Sequence, residues 1–363
     1  MSLAILGLGT AVPARSIKQP QAVRQASFYC CRSDRQVRAL EDLYRRTEIK
    51  ARGSVLLAES EHCQLSIPFF PTPESPIDAG PATAERMSRY AQEVVPLAVT
   101  AAKSALLDAD LSPATITHLI TISCTGFFAP GLDSALIKNL QLRHSVQRFH
   151  LGFMGCHGAL NGLKLADAVA NSQPDSRILL CAAELCSLHF QYGWSTNNLV
   201  ANSLFADGAA ALVASRSDQL SRSDWQATAF ASQLIDRSQE AMTWTIGNNG
   251  FTMSLSPLVP SLIREHLPAW IDRWLSDQQL SRAAIASWAV HPGGPRILDA
   301  VAECLSLPYR SLEASREVLS CFGNMSSPTI LFILDRLRQQ QAPRPCVALC
   351  FGPGLTFEAA LFA

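Results

Sequence analysis

Leu151-Gly152-Phe153-Met154-Gly155-Cys156-His157-Gly158-Ala159-Leu160-Asn161-Gly162 is the stretch around which the rest of the chain organises. An apolar strand over Gln147–Met154 enters a glycine-flanked cysteine, and a helix is expected over 157–171. Small residues on both sides of Cys156 permit a tight strand-to-helix turn that presents a thiol at a helix N-terminus. The helix dipole there favours thiolate and would lower a thiol pKa that is ordinarily about 8.5. Taken by itself, Cys156 reads equally as a nucleophile or as a buried structural thiol packed among glycines.

Outward from this turn, strand and helix alternate. Strands are expected at Ala4–Leu8, His118–Ser123, Arg177–Cys181 and Ala209–Ser215, with helices over 34–50, 83–107 and 133–142. Pro96 should kink or split the second of these helices. Residues 64–82 carry Pro68, Pro71, Pro73, Pro76 and Pro81 and read as a loop. The second half repeats the pattern: strands at Trp225–Ile235, Thr243–Ile246, Trp288–Val290, Val347–Phe351 and Thr356–Leu361, and helices over 257–276 and 326–341. Continuous apolar strands between helices imply α/β architecture, with buried sheets covered by helices. Each half has a strand leading to a glycine-rich turn, Gly155-Cys156-His157-Gly158 in the first and Gly323-Asn324-Met325-Ser326 in the second. A duplicated βαβ core follows, divided at 1–215 and 216–363.

Composition narrows the function. Of 363 residues 48% are hydrophobic and 17% charged, which suits a large core and excludes a disordered chain. Thirty basic residues balance thirty acidic ones, so no global field draws in nucleic acid or a membrane surface. The N-terminus lacks the charged region of a signal peptide, and no apolar run reaches the length of a membrane span. The 11 cysteines form no CxxC pair, which argues against a zinc site or a disulfide framework and points to reduced thiols in the cytoplasm.

Two further motifs carry chemistry. His291, in Ala289-Val290-His291-Pro292-Gly293-Gly294-Pro295, ends an apolar strand where loops line sites, and could serve a thiol as base. Asn324, in Ser320-Cys321-Phe322-Gly323-Asn324-Met325-Ser326-Ser327-Pro328, is either a helix N-cap or an amide donor for a developing oxyanion. Phe351-Gly352-Pro353-Gly354-Leu355 is either a hairpin or a cavity wall. Cys, His and Asn in this order at glycine-rich strand ends form a far more specific pattern than any one of them. Papain-like hydrolases share the order, but their Cys-Gly-Ser-Cys-Trp context is absent.

These motifs, together with Leu204-Phe205-Ala206-Asp207-Gly208-Ala209-Ala210, resemble the type III polyketide synthases, the chalcone synthase superfamily on the thiolase fold, over nearly the whole chain. The resemblance implies α-β-α-β-α layers, a homodimer and a Cys156–His291–Asn324 triad. It makes Phe205 a gatekeeper and puts Met253 at the second gatekeeper position. Cys124, Cys186 and His189 stand at cavity positions that are Thr in plant members. Ala129 replaces a Met that crosses the plant dimer, and Gly293, Gly352, Pro353 and Gly354 shape the wall. Arg46, Lys50, Arg52 and Arg296 are the expected coenzyme A contacts. The implied reaction is iterated decarboxylative condensation of malonyl-CoA onto a Cys-bound acyl starter, without metal or redox cofactor. Small or soft residues at Ala129 and Cys186 resemble members that take a medium- or long-chain acyl-CoA to an alkylpyrone or alkylresorcinol. A malonyl-primed tetrahydroxynaphthalene synthase is the rival, and an initiating ketoacyl carrier-protein synthase a remoter one.

Overall fold

The computed structural model describes residues 2–59, 65–75, 77–216 and 225–363. Gln64 and Pro76 of the expected proline-rich loop therefore lie outside the described residues. The first half comprises β1 (Leu3–Ala11), β2 (Ser16–Lys18), α1 (Gln19–Cys30), α2 (Asp34–Arg45), β3 (Ala51–Gly53), β4 (Ala58–Glu59), β5 (Leu65–Ser66), α3 (Thr83–Asp108), β6 (His118–Ser123), α4 (Leu132–Leu140), β7 (Gln147–Gly152), α5 (Gly158–Ser172), β8 (Arg177–Leu185), α6 (Thr196–Leu204) and β9 (Asp207–Arg216). The second comprises β10 (Gln226–Leu234), β11 (Met242–Gly247), β12 (Gly250–Leu255), α7 (Val259–Asp277), β13 (Ser287–Val290), α8 (Pro295–Leu305), α9 (Glu313–Phe322), α10 (Thr329–Gln339), β14 (Cys346–Gly352) and β15 (Thr356–Phe362).

Side-chain alternation along the strands builds the layers. On β8, Leu179, Cys181, Ala183 and Leu185 pack outward on α3 and α4, while Ile178, Leu180 and Ala182 face the inner helices. On β14, Val347, Leu349 and Phe351 pack outward on α7 and α8, while Cys346, Ala348 and Cys350 face inward. α5 and α10 supply Leu160, Leu163, Ile330 and Leu334 to the shared inner core. The order is thus α3/α4, the first-half strands, α5/α10, the second-half strands and α7/α8, a thiolase-like α-β-α-β-α stack. Among the described residues nine strands form one hydrogen-bonded series, β13-β14-β15-β10-β1-β9-β8-β6-β7. The halves meet at β1 and β10 through only Leu3↔Ala227 and Ala4↔Gln226. The two central helices share one position in the two halves, and each follows one of the glycine turns noted above.

Several local expectations change. α3 contains Pro96 without being split, because the inner face of the helix (Val94, Leu97, Ala98, Ala101) is fully engaged in the core. The helix expected over 34–50 stops at Arg45, and the chain then pairs as β3 with β2. The helix expected from 326 starts at Thr329, behind Pro328. α1, α6, α8 and α9 were not legible as helices; α6 has the polar sequence Thr196-Asn197-Asn198-Leu199-Val200-Ala201-Asn202-Ser203-Leu204, whose hydrophobic periodicity is weak.

Candidate active site

The turn after β7 is built from backbone that side chains resist. Phe153 has φ 58° and Gly155 φ 75°. A Cβ on Gly155 would overlap Pro353 Cδ, so glycine is required for both conformation and contact. Gly155 N–H donates to Cys124 Sγ at 2.9 Å, and Cys156 itself lies in the short 3-10 turn Gly155–His157 that leads into α5.

His291 follows β13 and its N–H donates to Leu349 O at 2.8 Å, which anchors the ring position to β14. The residue is 1% exposed, and neither ring nitrogen has a hydrogen-bond partner among the described residues. Burial, and then the neighbouring charge of His157, lower its pKa to about 3, so the free ring is neutral.

Asn324 is not an N-cap: α10 begins five residues later with Pro328 at its cap position. Its backbone is held at both ends, N–H to Leu204 O and C=O from Ala206 N–H, each at 2.9 Å. Ser326 N–H donates to Asn324 Oδ1 at 2.8 Å, which fixes the amide and leaves Nδ2 to donate elsewhere.

These three side chains line one chamber, together with Phe205, Met253, Gly293, Met242 and Ile297, with an empty volume of about 440 Å³. Cys156, Phe205, Met242 and Met253 also line a second cavity of about 1190 Å³, open mouth included. The second cavity passes Cys124, Cys186, His189 and Pro353. It reaches Ile17 and, on α1, Ala22 and Ala26, and Leu57 and Ile67 also line it.

The electrostatics correct one expectation. Burial pushes the Cys156 thiol up to about 11, hydrogen bonding from Ser326 and Asn324 pulls it down, and the Glu184 charge adds to the rise. The position ahead of α5 does not by itself yield a thiolate. A proton acceptor must be supplied at the moment of attack, and the neutral imidazole in the same chamber is suited to that role.

Glu184, Ser326 and Ser327 were not singled out in the sequence. Glu184 is fully buried and accepts from Cys124 N–H (2.9 Å), Thr125 Oγ1 (2.7 Å), Ser123 Oγ (3.2 Å) and Ser327 Oγ (2.6 Å). It ties the end of β6 to the loop that carries Asn324. The one visible clue was an acid inside the apolar run of β8. Burial raises its pKa.

The remaining expected residues divide. His189 lines the large cavity as a neutral pillar: Nε2 lies 2.7 Å from Thr125 O, Nδ1 accepts from Phe251 N–H at 3.0 Å, and burial takes its pKa to about 3. Gly352 lies flat on the His157 ring, where any Cβ would overlap it. Gly354 turns away toward Leu234 and lines neither cavity, and Ala129 is exposed and lines neither. Arg46, Lys50 and Arg296 are exposed. Arg52 does not fit the expected phosphate role: it is 6% exposed, and its terminal nitrogens donate to Asn202 O, Ser203 O, Phe205 O and Gln19 Oε1. A guanidinium committed to backbone carbonyls under the cavity wall cannot reach a ligand phosphate in solvent. Among the described residues no group of three or more His, Cys, Asp or Glu could hold a metal, and no helix is long and apolar enough to cross a membrane.

A buried cysteine, an unpartnered imidazole and an oriented amide at the central turns of a thiolase-like stack define a carbon–carbon bond-forming acyltransferase. Comparison with known proteins sharpens this class. Residues 2–217 match the family model "Chalcone and stilbene synthases, N-terminal domain" and 226–363 the corresponding C-terminal domain. The chain belongs to this family, the type III polyketide synthases. It is 32% identical to the alpha-pyrone synthesis polyketide synthase-like Pks18 of Mycobacterium tuberculosis, over 99% of this chain and 90% of that protein. It is 36% identical to 1,3,6,8-tetrahydroxynaphthalene synthase of Streptomyces peucetius, over 73% and 72%. The crystal structure of PKS-I from the brown alga Ectocarpus siliculosus superposes with a TM-score of 0.92 at 29% identity, over 99% of this chain and 98% of that one.

Proposed function

We propose that this synthase loads a medium- or long-chain acyl group from coenzyme A onto Cys156, extends it with malonyl-CoA and closes it to an alkylpyrone or alkylresorcinol. One observation carries this reading: the chamber that holds Cys156, His291 and Asn324 shares Cys156, Phe205, Met242 and Met253 with the larger cavity, which reaches Ile17, Ala22 and Ala26. Cys156 attacks the starter thioester as its proton passes to His291. With the thiol near 11 and the imidazole near 3, the proton moves in concert with attack rather than resting as an ion pair. Malonyl-CoA then enters the vacated chamber. Asn324 Nδ2 and a His291 ring N–H donate to its thioester carbonyl and stabilise the enolate left by loss of CO2. The enolate attacks the acyl-Cys156 carbonyl, and the chain grows by two carbons. Phe205 keeps water from the carbanion. Departure of CO2 supplies the driving force, so the chemistry calls for no metal or redox cofactor.

Lys50 follows Ile49, which packs on Leu204 of the chamber wall, Arg46 lies three residues before it, and Arg296 precedes Ile297 of the same wall. This supports a coenzyme A phosphate site formed by these three cations without Arg52. Among the described residues β7 has no strand on its outer side, and it carries exposed Phe149, with Phe127 and Phe153 exposed nearby, which supports a homodimer through this edge. Ten free cysteines among the described residues support a reducing, cytoplasmic setting.

Mass spectrometry of products from malonyl-CoA with acyl-CoAs of graded length tests the assignment. Pyrones or resorcinols that carry the intact starter are expected. Product from malonyl-CoA alone, with every acyl-CoA ignored, would favour the tetrahydroxynaphthalene type, which leaves the cavity toward α1 unused.

A further inference from the structure

The zero net charge of the chain conceals an uneven distribution. Residues 1–53 hold ten Lys and Arg against four Asp and Glu, and the rest of the chain carries the matching acidic excess. Four of these cations gather around one turn: Arg24 on α1, Arg32 in the connection between the helices, and Arg35 and Arg38 at the start of α2. Asp34 is the one acid between residues 19 and 38. The turn is tied at both helix ends. Arg32 N–H donates to Gln36 Oε1 at 2.6 Å, and Gln36 N–H donates to Ser33 Oγ at 3.4 Å. All four arginines are exposed, and the ion pair found on these helices among the described residues, Arg45–Asp42, uses none of them.

α1 has two unlike faces. Ala22, Gln25, Ala26 and Tyr29 recur at helical spacing and line the large cavity. At 100° per residue Arg24 and Phe28 fall on the opposite face, and both are exposed, Phe28 by 57%. The Phe28 ring meets the cavity-lining Tyr29 ring edge-on, with centroids 5.2 Å apart. α1 thus stands between the cavity and solvent. A single exposed aromatic is ordinary; one set among four unpaired arginines is not.

We propose that the outer face of α1 and the turn into α2 form a peripheral docking surface for an anionic lipid leaflet. Arginine stems lie along such an interface while their heads meet lipid phosphates, and a phenylalanine between them enters the acyl boundary. An acidic protein would match the arginines equally well, but it would need a dedicated pocket for Phe28, whereas a bilayer needs none. The use of this surface rests on the chain-length reading above: a fatty starter and an alkyl product both partition into lipid, and docking sets the α1 wall of their cavity against it.

The test is co-sedimentation of the full chain with vesicles of phosphatidylcholine alone and of phosphatidylcholine mixed with phosphatidylglycerol. Binding to the anionic vesicles only is expected, and it should weaken as salt shortens the range of the field. Arg24→Gln and Arg35→Gln should each weaken it about fivefold, the share of one basic residue near an anionic leaflet. Phe28→Ala should weaken it about tenfold through lost burial. Turnover of soluble acyl-CoA by these surface variants should stay within about twofold of the unmodified protein, which shows that they fold. Equal binding to both vesicles, no binding to either, or unchanged binding by the arginine variants overturns the proposal. So does retention on an immobilised acidic carrier protein without any on vesicles. Cys156→Ala should dock unchanged. Absence of CO2 release from malonyl-CoA, measured without vesicles, would overturn the condensation reading and leave the docking result standing.

Discussion

Phe205 and Asn324 form an isolated parallel bridge, in which the backbone of Asn324 is clamped between Leu204 O and Ala206 N–H. The aromatic wall and the amide donor are thus positioned by one backbone contact between the halves, although 118 residues lie between them in the sequence. Asn324→Ala should leave acylation of Cys156 intact and cut condensation about 10²–10³-fold, the usual cost of one oxyanion donor. Stopped-flow acylation and CO2 release measured on the same preparation distinguish the two steps; equal loss in both would remove Asn324 from its assigned step.

The Cys156 thiol, pushed up to about 11, is protonated across the neutral range in the free enzyme. Alkylation by iodoacetamide should therefore keep accelerating as pH rises toward 10, without the plateau near neutrality that a stable thiolate–imidazolium pair gives. Cys156→Ala should abolish condensation. Persistent product from that variant would refute the mechanism.

Glu184 accepts from four groups on two segments, Ser123–Thr125 and the loop of Ser327. Glu184→Ala would leave those donors unsatisfied in the core and should destabilise the fold by about 3 kcal/mol or more. Urea unfolding monitored by tryptophan fluorescence measures this, and a change within about 0.5 kcal/mol, typical of a surface site, would show that the network carries little.

Two glycines give a controlled comparison. Gly155 and Gly193 both have positive φ, 75° and 79°, but a Cβ on Gly155 meets Pro353 while one on Gly193 meets nothing within 4 Å. Gly193→Ala should cost only the left-handed strain, about 1–2 kcal/mol. Gly155→Ala should cost more and also displace Cys156, with a fall in kcat. Melting curves and steady-state rates on both variants check the difference.

The large cavity should read starter length. Each added methylene buried on its apolar wall contributes about 0.8 kcal/mol, so kcat/KM should rise about fourfold per carbon until the cavity end is reached. Ala26→Phe fills space near that end and should shift the optimum to shorter starters while the shortest starters are processed at the original rate. An unchanged length profile would place the alkyl chain elsewhere.

What could be read without coordinates was what local chemistry writes into neighbouring residues. Gly-Cys-His-Gly has to be a tight turn, and His291 and Asn324 stand at strand and helix ends with glycine beside them. The continuous apolar strands require two covered faces, so the class and the layered stack were legible. Tertiary structure decided everything that depends on distant segments meeting. It buried Arg52 under Asn202, Ser203 and Phe205, and it made Asn324 a clamped donor rather than a cap. It set Glu184 between the end of β6 and the loop of Ser327, and it raised the Cys156 thiol where local helix logic lowered it. Desolvation and long-range hydrogen bonding are properties of the folded interior, and no short stretch of sequence contains them.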